Sequence, residues 1–382
     1  MTNESLNDLF HYFEPVEIMH PAISPIGIES GIGLQISVHR DIDKPDLDQA
    51  SVFIIGTANN KKSDEIRKHL FSLGKIEGLK QIVDLGNFRK GKSKADTRKG
   101  WEDVLFEFGK KQKILIILGG HAEDIGLIIS SLSRLEHPLN LGLISPDLHL
   151  ISDPDNMQGT YLNRVLLNPD SQLFDFTQLA YQSYFSDPES LELFEKLYFS
   201  HVRLGELRMD IREMEPHFRN SDVLAFSMAS IRHSDAPGSR LKSANGLYAE
   251  EACQLARYAG LSDKLSVFNL FDMPDEKEFH PVTANLSAQI IWHFIQGVNQ
   301  RKLDYPFSSI KSYNKYIVNI PQAEHEINFY KSPKTNRWWL EVAYPDAKYP
   351  RSLYIACTYN DYQMACNGEI PDRWLKNYQR IC

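Results

Sequence analysis

Three stretches of this chain set reactive or charged side chains at spacings that suggest chemistry. The first is Gly86-Asn87-Phe88-Arg89-Lys90-Gly91-Lys92-Ser93, which follows an apolar run and spells G-x-x-x-x-G-K-[ST]. In a phosphate loop the backbone N–H groups cradle phosphates, the lysine reaches the terminal ones and the hydroxyl holds Mg²⁺. Here the helical pattern starts only near Asp96, and no acid closes an adjacent apolar strand to help hold the metal. A phosphate loop runs straight into its helix, so the stretch reads better as a basic surface loop with Lys94, Arg98 and Lys99. The second is Arg232-His233-Ser234-Asp235, where Arg232 and His233, with Lys242, could grip a carboxylate through the bidentate arginine fork, or could simply face water. The third is a series of segments that each follow an apolar run: Leu118 to Asp124, Pro146 to Ile151, and Ser227 to Ser230 leading into Asp235-Ala236-Pro237-Gly238. No G-x-S-x-G occurs, and no cysteine stands beside a histidine, so serine and cysteine nucleophile patterns are absent.

Buried strands alternating with amphipathic helices are expected to position these segments. Apolar runs at Ser51–Gly56, Gln81–Leu85, Lys113–Leu118, Leu141–Ser145, Asp222–Ser227 and Ser266–Leu270 read as strands, Lys113–Leu118 as one buried on both faces, as a parallel sheet requires. Between them, helical periodicity covers Ser63–Leu73, Trp101–Phe108, Asp124–Leu135, Leu247–Ala259 and Val282–Val298. This alternation predicts an α/β fold with a mostly parallel sheet, whose ligands sit at the carboxyl ends of the strands. The loops after Leu118, Ser145, Ser227 and Leu270 are where a site is expected. The expected organisation is an N-terminal extension over 1–44, an α/β domain over 45–302 and an aromatic-rich appendage over 303–382. In the appendage, Ile327–Tyr330 and Trp338–Val342 flank a Pro333–Asn336 turn and read as a hairpin.

The strand-end segments, taken in order, resemble the ureohydrolase family of arginase, agmatinase and formimidoylglutamase. In that family they read Gly-Gly-Asp-His, Asp-Ala-His-x-Asp, and Asp-x-Asp followed by a Pro-Gly loop. Asp84-Leu85-Gly86-Asn87 resembles the family's Asp-Leu-Gly stretch, and Gly246-Leu247-Tyr248-Ala249-Glu250-Glu251-Ala252 its Gly-Leu-Thr-x-x-Glu-Ala helix start. Met228 to Pro237 is similar to the formimidoylglutamase version of the third loop. The resemblance spans roughly residues 45–300 and implies a three-layer arginase-like fold. It also implies a site where carboxylates and imidazoles hold two Mn²⁺ ions, which generate hydroxide to attack an amidine or guanidine carbon.

Carried over position by position, the resemblance implies that Asp147 and His149 are kept, while Ala122, Ile151, Ser227 and Ala229 stand where ligands should be. Losing bridging acids removes both coordination and the negative charge that lets two dications lie close together. Some rescue is conceivable from His121, Glu123, Asp124 and Asp153, and a single-metal site from Asp147, His149 and His121 is physically possible; these residues could equally be satisfied polar groups. Asp272 approximates a family acid near the substrate end. The resulting expectation is a non-hydrolytic binding or scaffold protein with no cofactor, the alternative being an amidine hydrolase that uses Mn in a rearranged or single-metal site.

Composition narrows the partners. The 382 residues carry 42 Lys+Arg against 50 Asp+Glu, a net charge of −8, which argues against a general nucleic-acid binder. No run approaches the ~18 apolar residues of a membrane span, and Met1 to Phe13 lacks the basic start and apolar core of a signal peptide. The four cysteines are scattered, without a C-x-x-C pair, and suit a reduced, cytoplasmic protein. The appendage holds Trp338, Trp339, Trp374 and many tyrosines, so it is expected to be ordered and to serve a protein partner or a homo-oligomer; a small-molecule ligand in the strand-end cleft is also compatible.

Overall fold

A computed structural model describes residues 5–17, 31–57, 61–150, 160–274, 278–306, 310–320, 325–344 and 352–381. Ten strands build the main sheet: β1 (Phe13–Glu14), β2 (Ile36–Val38), β3 (Val52–Gly56), β4 (Ile82–Phe88), β5 (Ile114–Leu118), β6 (Leu139–Ile144), β7 (Leu173–Tyr181), β8 (Ser200–Arg203), β9 (Val223–Ser227) and β10 (Val267–Phe271). Their order is β1-β4-β3-β5-β10-β9-β6-β7-β8, with β2 also paired to β4. All pairings are parallel except that of β1 with β4.

The alternation of side chains along the strands feeds two cores. Ile54, Ile116, Phe226 and Phe268 point to one face, where the helices Lys61–Ser72, Ala249–Gly260 and Pro281–Asn299 pack. Phe53, Leu115, Ala225 and Val267 point to the other, covered by Lys94–Lys110, Ala122–Ser133 and Tyr161–Leu167. Burial on both faces is why these strands read as unbroken apolar runs. β7 and β8 do not read that way: β7 carries buried Thr177 and Gln178, and β8 is only partly covered. Their polarity hides them from periodicity.

The phosphate-loop spelling is explained by packing. Gly86 to Phe88 belong to β4 itself, so their backbone groups form a sheet, not a cradle. Gly86 is left-handed (φ +85°), and a Cβ there would lie 1.9 Å from the Glu14 carbonyl oxygen, so β1 and β4 can approach only over glycine. Asp84 accepts from Arg67 Nε at 2.8 and 3.1 Å, and both side chains are fully buried. The remaining guanidinium donors reach Asn87, Asp64 and the Gly86 carbonyl. Asp84-Leu85-Gly86-Asn87 is therefore a structural anchor between β4 and the first long helix.

Four more strands, β11 (Asn314–Ile320), β12 (His325–Lys331), β13 (Trp338–Ala343) and β14 (Ser352–Cys357), make an antiparallel sheet with its own core, backed by helices Tyr359–Cys366 and Asp372–Ile381. β12 and β13 form the expected hairpin. The free edge of β14 is covered by the main domain. Asn220 exchanges hydrogen bonds with both backbone groups of Ala356, and Arg219 donates to the Trp338 and Cys357 carbonyls at 3.0 and 2.9 Å. Capping of this kind satisfies edge groups that would otherwise recruit another strand. Among the described residues, no helix is long and apolar enough to cross a membrane.

Candidate functional site

The carboxyl ends of β5, β10, β9 and β6 lie side by side, and the loops leaving them bring the polar residues together. After β5 the chain turns through Gly119 and Gly120, both left-handed (φ +99° and +92°), into the helix that begins at Ala122. Asp124 caps that helix by accepting from the His121 N–H at 2.8 Å, and burial pushes its carboxyl above the ordinary range. After β10, Asp272 adopts φ +56°, a left-handed geometry that aspartate tolerates better than most residues. That turn sets its carboxylate to accept from Ser227 Oγ, at the end of β9, at 2.7 Å. Ser227 Oγ in turn accepts from the Ala229 N–H at 3.1 Å.

After β6, Ser145 Oγ donates to Asp147 at 2.8 Å and lies 3.3 Å from His149 Nε2, which is 3.7 Å from the same carboxylate. The other partner of Asp147 is Arg240, from the loop after Pro237-Gly238. Its Nη2 lies 3.3 and 3.1 Å from the two Asp147 oxygens and 4.0 Å from Asp272 Oδ2. One guanidinium thus serves both acids. Burial alone would raise Asp147, but His149, Arg240 and Ser145 outweigh it and hold the carboxyl below its usual range. Asp272 goes the other way: burial raises it, and Ser227 and Arg240 offset this only in part. Tyr161 closes the inner wall, its ring 5.4 Å from that of His149. Its hydroxyl is buried without a hydrogen-bond partner among the described residues, and burial, then Asp147, Asp272 and Glu123, push it far above the ordinary phenol.

Asp147, His149, Asp272, Ser227 and Ala229 therefore meet in one place. His121 and Ala122 stand at the adjacent helix start, where His121 shares a cavity wall with Tyr161. Ile151 and Asp153 lie outside the described residues. Arg232 is committed elsewhere: it pairs with Asp235 at 2.8 Å and stacks 4.2 Å over Tyr248. His233 donates its backbone N–H to Ser243, and Lys242 pairs with Glu278. Arg240, Ser145 and Tyr161 stand out in no motif or periodicity of the sequence. A cation in the Pro-Gly loop, two residues before the noted Lys242, was the available signal for Arg240.

Among the described residues, the donor set at these strand ends does not fit a pair of Mn²⁺ ions. Alanine at 122 and 229 offers no lone pair, the Ser227 hydroxyl is spent on Asp272, and Asp147 is held by a guanidinium that competes for the same oxygens. Among the described residues, no cluster of three or more His, Cys, Asp and Glu side chains is placed to hold a metal ion.

No family model matches the chain. A formimidoylglutamase of Staphylococcus aureus (strain MSSA476) is 24% identical over 244 residues, covering 61% of this chain and 78% of that protein. A formiminoglutamase structure from Trypanosoma cruzi with Mn²⁺ superposes at TM-score 0.60 and 17% identity, over 68% of this chain and 97% of that one. The Bacillus subtilis formimidoylglutamase structure gives 0.61 at 13% identity, over 75% and 98%. The chain is similar to ureohydrolases in sequence and in fold. Its likeness lies on the formimidoylglutamase side, and it keeps their mostly parallel sheet while adding an antiparallel one at the C-terminus. Within this ureohydrolase frame, Arg240 stands among the strand ends from which the family draws its metal ligands.

Proposed function

We propose that this ureohydrolase-like protein is a non-hydrolytic binding protein, whose strand-end acids are partly offset by the half-exposed Arg240 guanidinium instead of a metal pair. The observation that carries this reading is Arg240, held between Asp147 and Asp272. Two dications need several carboxylates to lie close together; Asp147 and Asp272 with one guanidinium leave a single net negative charge, too little to hold two of them. With Ser227 donating to Asp272 and alanines at 122 and 229, the described residues offer few side chains at these strand ends to hold a metal that would activate water. A reduced, cytoplasmic setting suits the scattered cysteines, and residues 303–382 are the surface we assign to partner or self-association.

Hydrolysis assays with formimidoylglutamate, agmatine and arginine in the presence of Mn²⁺ test it. No turnover is expected. A rate above ~1 s⁻¹, ordinary for an enzyme, that vanishes with a chelator overturns the reading. The second reading, an amidine hydrolase with a rearranged site, draws on the retained Asp147 and His149 and on the likeness to formimidoylglutamases. It requires Arg240 to swing away from Asp147 and admit a metal.

A further inference from the structure

Beside the acid–guanidinium cluster a cavity of about 720 Å³ opens between the helices Lys94–Lys110 and Ala122–Ser133. That volume falls in the range of small-molecule sites. We propose that it binds a phosphate monoester attached to a neutral, hydrogen-bonding ring, such as a nucleoside monophosphate.

The rim supplies the positive charge. Lys62, Lys90, Lys94, Arg98 and Arg164 line the cavity, against the acids Glu123 and Asp124. Asp124 is spent on capping its helix, and Arg98 is paired with Glu102. Lys90 and Lys94 make no ion pair among the described residues. Both flanking helices start at this rim, so their positive dipole ends add to the field. A rim that offers Lys90 and Lys94, neither in an ion pair among the described residues, suits the double charge of a phosphate monoester better than a single carboxylate.

The inner end is of a different character. Trp101, Leu105, Ile117 and Ile128 give an apolar and aromatic wall. Two polar residues line the cavity among them, Tyr161 (3% exposed) and Asn269 (1% exposed). The Tyr161 hydroxyl and the Asn269 Oδ1 are buried and have no hydrogen-bond partner among the described residues. Asn269 Nδ2 is fixed on the Gly119 carbonyl at 3.1 Å, which leaves its oxygen as an acceptor. An unmade hydrogen bond at a buried group is costly, and a ligand presenting one acceptor and one donor edge relieves both. A heterocycle does this while filling the apolar wall.

This inference deepens the proposed function by naming a ligand class for the cleft. Isothermal titration of the full chain with AMP, adenosine, inorganic phosphate and glutarate tests it, alongside Lys90→Ala/Lys94→Ala and Tyr161→Phe. AMP is expected to bind more tightly than adenosine or phosphate alone. The double lysine variant, altered only at exposed positions, should weaken AMP about tenfold or more while leaving adenosine unchanged. Tyr161→Phe should weaken AMP and adenosine alike. No AMP binding at millimolar concentration, AMP binding untouched by the lysine substitutions, or glutarate binding as tightly as AMP would overturn the inference. Manganese-dependent hydrolysis would sink the non-hydrolytic reading without altering these titrations, so the two failures are separable.

Discussion

If Arg240 takes the place of a metal at the strand ends, as proposed, its loss should be visible in the acids it serves. In Arg240→Met, the Asp147 carboxyl is expected to titrate upward, towards or above an ordinary aspartate, because burial then acts with less opposition. Carbon-detected NMR titration reads this, and an unchanged titration would mean that the ion pair contributes nothing in solution. Asp272 gives a prediction of opposite sign. Its folded pKa lies above the unfolded one, so its ionisation costs stability as pH rises through that window. Asp147, with a depressed pKa, contributes stability above the ordinary aspartate range and loses it as pH falls through its folded value. Asp272→Asn keeps a hydrogen-bonding partner for Ser227 and a residue that accepts positive φ. It should melt at or above the wild-type temperature at pH 7, with a smaller gain on acidification; a clearly lower midpoint would contradict the assignment. At this scale the sequence was informative where a residue follows a strand directly. Asp147 and His149 come just after β6, and Ser227 ends β9, so their convergence follows from a parallel sheet. Arg240 lies in a Ser- and Pro-Gly-rich loop, where no periodicity dictates which way a side chain is aimed.

Among the elements, β4 and the helix Lys61–Ser72 are locked by the buried Arg67–Asp84 pair. Removing Asp84 leaves the fully buried Arg67 with only the partly exposed Asp64 as a charged partner, and breaking a buried pair typically costs about 3–5 kcal/mol. Asp84→Ala should therefore shift the urea midpoint strongly, whereas exchanging the exposed Lys68–Glu65 pair should barely move it. Equal, small effects would show that Arg67 finds other partners. The helices and strands next to this anchor were legible as apolar runs because both faces are buried. β7 and β8 were not, since Thr177, Gln178 and partly covered β8 break the pattern. The short helices Leu204–Met209 and Glu215–Asn220 were also missed, being too brief to show a period.

For the whole molecule, the C-terminal sheet is joined to the α/β domain through Arg219 and Asn220, and Trp339 is fully buried with Arg219 4.7 Å above its ring. Truncation after Lys302 would bare both side chains and their surroundings. The shortened protein is expected to melt lower and to change its oligomeric mass, as read by calorimetry and light scattering; an unchanged midpoint and mass would remove both docking and association from this segment. Aromatic density pointed to packed elements in the C-terminal segment, where the described residues form β11–β14 and two helices, but not to what they cover, because a buried tryptophan is compatible with either a neighbouring element or another chain. The account as a whole turns on whether a guanidinium has displaced the metal pair. Its most direct test is the manganese content of the full-length protein after incubation with excess Mn²⁺ and removal of the unbound ion. No stoichiometric manganese is expected to be retained; a full pair of ions per chain would contradict the replacement of the metal pair by Arg240.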